Sequence, residues 1–88
     1  MSDQAQPVAS GSDSDGQLAV IVQTISRIGT IATLDPDHDF YDAGFVSVNA
    51  LPLLMELEDC FGVTIPDDLY IQARTARALH QLVDSLRT

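Results

Sequence analysis

The sequence predicts an all-α protein, a four-helix antiparallel bundle with a long loop between helices one and two and a short third helix. Two observations carry that expectation. Apolar residues recur at spacings of three and four in three separate stretches, and no stretch alternates with the two-residue period of a strand. With 88 residues the chain is one small domain, and a domain of that size buries only about two-thirds of its unfolded surface. A deep enzyme cleft is not expected.

The first element is read over 17 to 29, where Leu18, Ile21, Val22, Ile25 and Ile28 fall on one face and Asp15 or Gly16 can cap the start. Residues 1 to 16 are rich in Ser, Asp, Gln and Gly. Ordering them would cost backbone entropy with little burial in return, so they are expected to be a disordered tail ahead of a domain over 17 to 88. Gly29 and Thr30 stop the helix. A loop from Thr33 to Val46 follows, punctuated by Asp35-Pro36-Asp37, with Pro36 biasing Asp35 away from helix and Phe40 and Phe45 expected to pin the loop to the core.

Ser47 opens the second helical stretch. Its hydroxyl can act as a helix cap, or it can carry a phosphate ester where unpaired N–H groups and the helix dipole favour negative charge. At about 100° per residue, Ala50, Leu53, Leu54, Leu57 and Phe61 share one arc, while Val48, Leu51 and Met55 share another nearly opposite. So small a chain cannot cover both. The first arc is expected inward, and Val46, Val48, Leu51 and Met55, with Glu56 and Asp59 beside them, form a candidate docking surface. Pro52 lacks an amide donor, so this helix is expected to bend or to start late.

Gly62 can end the second helix, and Ile65 can return to the core. Pro66-Asp67-Asp68 can open a short third helix through Gln72. Thr75 is placed to cap a last helix whose Ala76, Leu79, Leu82, Val83 and Leu86 form a stripe.

Thirteen acidic residues against four arginines give a net charge of -9, which disfavours nucleic acid and anionic membrane and favours basic partners. Cys60 is the single cysteine and cannot form an internal disulfide; it falls near the edge of the core arc, where a packed apolar role is expected. The first residues lack the basic start and apolar run of a leader, so a cytoplasmic location is expected. His38 lies among Asp35, Asp37, Asp39 and Asp42, which can bind a cation weakly but more commonly form turns. No metal site or Ser-His-Asp constellation is legible.

The string from Asp39 through Phe40-Tyr41-Asp42-Ala43-Gly44-Phe45-Val46-Ser47, followed eleven residues on by Glu58, Phe61, Ile65-Pro66-Asp67, resembles the acyl carrier and peptidyl carrier protein family. The likeness is ungapped from Asp39 to Asp67 and continues loosely to Leu86. It implies the acyl-carrier type of bundle, and a 4'-phosphopantetheine arm on Ser47 that holds cargo as a thioester. It also implies the partners: a phosphopantetheinyl transferase, a cargo-loading ligase and a downstream acceptor enzyme, all meeting a monomer. Where the family usually has Asp-Ser-Leu, this chain has Val46-Ser47-Val48, so the acid that helps dock the transferase is missing and efficient attachment calls for a particular transferase.

The wording Phe40-Tyr41-Asp42-Ala43-Gly44-Phe45-Val46-Ser47 is also similar to stand-alone carriers that receive an amino acid from ligases resembling class II aminoacyl-tRNA synthetases. An aminoacyl cargo and an acyl cargo therefore both stand. Two other classes of function remain open at this point. One is a non-catalytic helical interaction module with Ser47 unmodified; the other is a small serine hydrolase, for which no base is visible. A core of ordinary Leu, Ile and Phe is expected to be filled, leaving a small cargo outside it.

Overall fold

The computed structural model describes the backbone of residues 10–87 and the side chains from Gly16 onward. Four helices follow in order: α1 (Ser10–Gly29), α2 (Ala50–Phe61), α3 (Asp67–Tyr70) and α4 (Ala76–Leu86), with a 3-10 turn at Ser47–Asn49. No strand occurs among the described residues, and an isolated antiparallel bridge joins Asp39 to Thr75. The all-α class, the long first loop and the short third helix all form as the sequence predicts.

Helix α1 begins at Ser10 rather than Gln17, so residues 10–16 are helical where a tail was expected; residues 1–9 of that tail lie outside the described residues. Extending a nucleated helix adds one hydrogen bond per residue fixed, so apolar periodicity marks where α1 packs and not where it starts. Ile21 and Ile25 are fully buried, and the buried Thr24 hydroxyl donates to the Val20 carbonyl at 2.7 Å. The helix closes at Thr30, whose φ of 55° is left-handed, a costly conformation for a β-branched residue.

The long loop is fastened at both of its chemical ends. Phe40 and Phe45 are buried and meet edge to face with ring centroids 5.2 Å apart, so the aromatics do pin the loop to the core. Its polar side runs along the start of α4. The Phe40 amide donates to the Arg74 carbonyl at 3.0 Å, the Arg77 amide donates to the Pro36 carbonyl at 3.0 Å, and Asp39 and Asp37 pair with Arg74 and Arg77 at 2.6 and 2.5 Å. Asp35 and Asp39 also accept from backbone amides two residues on, at 2.7 and 2.8 Å. The loop aspartates are turn formers and arginine partners, not a cation cluster.

Helix α2 starts late, and Pro52 falls in its first turn, where its missing amide leaves no gap in the hydrogen-bond ladder. Leu53, Leu54 and Leu57 are buried. The helix ends at Gly62, whose φ of 66° lets its amide turn back to the Glu58 carbonyl at 2.8 Å. The Glu58 carboxylate then accepts from the Ile65 amide at 2.8 Å, which explains the seven-residue spacing between them. Cys60 is exposed, contrary to expectation: the last turn of α2 is covered on its Leu57 side only, so a position at the edge of the arc opens to solvent.

Helix α3 is a single turn that ends at Tyr70, two residues short of the expected Gln72. Thr75 caps α4, accepting from the Ala78 amide at 3.0 Å. Ala76, Leu79 and Val83 face the core, and α1 packs against both α4 and α2. The buried core draws side chains from all four helices and the loop.

Candidate functional site

Ser47 stands where the fastened loop meets α2. Gly44 takes a φ of 115°, a conformation that strains any residue with a side chain, and it turns the chain so that Phe45 enters the core while Val46 and Ser47 leave it. Val46 is extended, and the 3-10 turn beginning at Ser47 closes with the Asn49 amide donating to the Val46 carbonyl at 3.0 Å. The serine therefore projects from the corner where the loop turns into α2.

Its hydroxyl is exposed and makes no hydrogen bond among the described residues. The residue at the cap position of the 3-10 turn is Val46, that of α2 is Asn49, and neither bonds through its side chain. The capping role is thus not the one Ser47 plays. An open hydroxyl at the positive end of the α2 dipole fits a phosphate ester, which needs a free oxygen and no carboxylate against it.

The outer face of α2 is apolar. Val46, Val48, Leu51 and Met55 are between 54% and 80% exposed. Leu51 and Met55 line a hollow of about 390 Å³ with Pro52, Glu56 and Asp59. Within it the Glu56 carboxylate is already paired with Arg27 of α1, while Asp59 has no ion pair among the described residues. The wheel placed these side chains on one surface correctly but could not show that Arg27 halves its free charge.

A second groove, of about 450 Å³, lies on the other side of Leu51 and reaches Ser47 itself. Val48, Leu51 and Leu54 form its α2 wall. The opposite wall comes from residues that the sequence pattern did not single out for function: Tyr41 of the loop, Asp67 and Tyr70 of α3, and Ile71, which is 67% exposed. The hydroxyls of Tyr41 and Tyr70 are 2.8 Å apart. Burial, and then the bond to Tyr41, pushes the Tyr70 hydroxyl above its ordinary range, so it stays neutral. Arg74 lies 4.7 Å over the Tyr41 ring and is itself held by Asp39. Of these, Tyr41 belongs to the Phe40-to-Ser47 string and Asp67 to the Ile65-Pro66-Asp67 string, while Tyr70 and Ile71 carried no functional signal in the sequence.

Among the described residues no group of His, Cys, Asp and Glu could hold a metal ion, and no helix is long and apolar enough to cross a membrane. His80 is 3.2 Å from the Gln17 side chain. Among the described residues no histidine or carboxylate hydrogen-bonds Ser47 in the manner of a general base.

No curated protein and no solved structure matches the chain. One family model, described as the phosphopantetheine attachment site, matches residues 17–83, from the packed part of α1 to the last core residue of α4. Proteins of that family carry 4'-phosphopantetheine covalently on a serine, receive it from phosphopantetheinyl transferases and deliver cargo to partner enzymes. The match covers well over half of the 88 residues, and with the open serine at the head of α2 and the all-α fold around it, this chain belongs to the phosphopantetheine attachment family.

Proposed function

We propose that Ser47 is the attachment serine and that the chain is a carrier for an activated aminoacyl or acyl group. The observation that supports this reading best is the exposed Ser47 hydroxyl, bonded to nothing among the described residues and presented from a corner built by Gly44 and Phe45. When bound, the arm supplies a terminal thiol that holds cargo as a thioester. The protein's own residues present the arm and meet the enzymes that act on it; none does the chemistry.

Val46, Val48, Leu51 and Met55 supply the apolar centre of the docking surface, and Asp59 and the shared Glu56 supply acid at its rim. With a net charge of -9 the partner surfaces are basic and apolar: a transferase that accepts Val46-Ser47-Val48, a cargo-loading ligase and an acceptor enzyme. The setting is cytoplasmic and the carrier a monomer.

Intact mass spectrometry tests the reading. Incubation with coenzyme A and a panel of transferases is expected to add the mass of one arm to the wild type and none to Ser47→Ala. Gain of the mass by Ser47→Ala would move the site elsewhere, and failure of the wild type with every transferase would favour an interaction module in which Ser47 is unmodified.

A further inference from the structure

Resting on the carrier reading, we propose that Arg27 is a specificity-determining residue for docking: by pairing with Glu56 it withdraws that carboxylate from recognition, so the outer face of α2 fits an apolar partner surface with one basic side chain opposite Asp59. Arg27 lies in the last turn of α1, where the helix dipole favours a cation. Its guanidinium reaches across to the Glu56 carboxylate of α2. The two stand at a seam. Arg27 lines a hollow of about 340 Å³ with Ser26, Thr30 and Ile31, and Glu56 lines the hollow that holds Leu51, Met55 and Asp59. Both side chains are partly exposed, so a partner laid on Leu51 and Met55 meets the ion pair and not a bare carboxylate.

The free charge of α2 is thereby reduced to that of a single acid. The first turn of the helix carries no acid. Glu58 is engaged elsewhere, its carboxylate accepting from the Ile65 amide at 2.8 Å. Glu56 is neutralised by Arg27, which leaves Asp59 as the acid of this helix with no ion pair or hydrogen bond among the described residues. A partner that aims a second cation at Glu56 meets the Arg27 guanidinium there, and like charges brought together at a contact oppose docking. A partner with a neutral group at that point escapes the repulsion. A net charge of -9 draws basic surfaces of many kinds from a distance, so a local cation at the contact is what separates one basic partner from another.

Four proteins test this: the wild type, Arg27→Ala, Glu56→Gln and the double variant, in which the seam is neutral, negative, positive and neutral again. The readout is the initial rate of arm attachment from coenzyme A, followed by intact mass over a range of carrier concentrations, with each transferase that loads the wild type. The efficiency kcat/KM is expected to rise about two- to five-fold in Arg27→Ala, to fall by a similar factor in Glu56→Gln and to return near the wild type in the double variant, the size of one exposed charge contact. The change should lie in KM with kcat unaltered, Arg27→Lys should follow the wild type, and the gain in Arg27→Ala should be largest for the transferase that is slowest on the wild type. At about 1 M salt, where screening acts over about 3 Å, the four should converge. Their melting midpoints should agree closely. If Glu56→Gln and the double variant are equally impaired while Arg27→Ala matches the wild type, Glu56 is read directly and the proposal is overturned. Equal gains in Arg27→Ala with every transferase, or lower melting midpoints in all three variants without the charge ordering of rates, would also overturn it, and in each of these cases the arm is still attached and the carrier reading stands. Failure of the wild type to gain the arm's mass would overturn the carrier reading, and this proposal with it.

Discussion

Gly29, at the end of α1, faces Phe45 so closely that a β-carbon built on it would lie 2.6 Å from the ring's Cδ1. Phe45 cannot step aside, because it is 3% exposed and its ring meets those of Phe40 and Tyr41 edge-on at 5.2 and 5.4 Å. The absence of a side chain on α1 thus sets the depth of a ring two residues before Ser47. The end of one helix positions the start of the next.

Gly29→Ala is therefore expected to destabilise. Alanine in place of a helical glycine gains at most about 1 kcal/mol from propensity, whereas forcing a methyl into a packed core costs about 1–3 kcal/mol. The balance falls on the side of the clash, and thermal unfolding should show a lower midpoint. Gly29→Ala combined with Phe45→Leu should recover part of the loss relative to Phe45→Leu alone. A more stable single variant would mean that Phe45 has freedom the packing does not indicate.

The two tyrosine hydroxyls give an asymmetric pair of substitutions. Tyr70 is buried and Tyr41 is half-buried, so Tyr41→Phe leaves the more buried tyrosine without its partner, while Tyr70→Phe leaves the less buried one. Tyr41→Phe is expected to cost about 1–3 kcal/mol and Tyr70→Phe about 1 kcal/mol or less, with the double variant costing less than the sum. Denaturant unfolding of the four proteins measures this, and additive effects would remove the pair as a unit.

Most of the helical frame was legible because the relevant signal is local. Leu18 to Ile28 and Ala76 to Leu86 repeat at helical spacing, Thr75 and Gly62 carry their own capping chemistry, and the two arcs of α2 divide into buried and exposed faces as the wheel predicts. The site was legible only in part. Ser47 and the outer face of α2 sit on one periodic segment, but the far wall of the groove comes from a loop tyrosine and a four-residue helix too short to have a period. The ion pairs of Asp39 with Arg74 and Asp37 with Arg77 join residues 35 and 40 positions apart, a distance over which sequence pattern says nothing about register. The helical start at Ser10 escaped for the opposite reason, since residues 10–16 lack an apolar repeat.

Those ion pairs give the fold an acid-sensitive edge. The hydrogen bond from Arg74 holds the Asp39 carboxyl below the usual carboxylate value of about 4, against an opposing effect of burial, and Arg77 does the same for Asp37. A carboxylate with a depressed folded-state value stabilises fully above its unfolded value and loses that contribution as the pH falls through its folded value. The melting midpoint should therefore hold steady from neutral pH down to about 4 and then drop. Asp39→Asn and Asp37→Asn together should lower the neutral-pH midpoint slightly and flatten that drop. An unchanged acid limb in the double variant would assign the sensitivity to other carboxylates.

On the proposed docking surface Leu51 lies between the hollow that contains Met55 and Asp59 and the groove that contains Ser47, so its substitution tests docking apart from folding. Its side chain is 64% exposed, so Leu51→Asp should change stability by no more than about 0.5 kcal/mol. A charge at the centre of an apolar contact must be desolvated on docking, so transferase and ligase reactions should slow at low carrier concentration, while saturating carrier restores much of the rate. Salt should act differently. Screening weakens the attraction between Asp59 and a basic partner but leaves the Val48, Leu51 and Met55 contact in place, so raising ionic strength should slow association of the wild type only moderately. Steady-state kinetics of arm attachment, run beside thermal melts of the same samples, decides the matter: a Leu51→Asp protein that melts many degrees lower places Leu51 in the core, and one that is attached at the wild-type rate removes it from the docking surface.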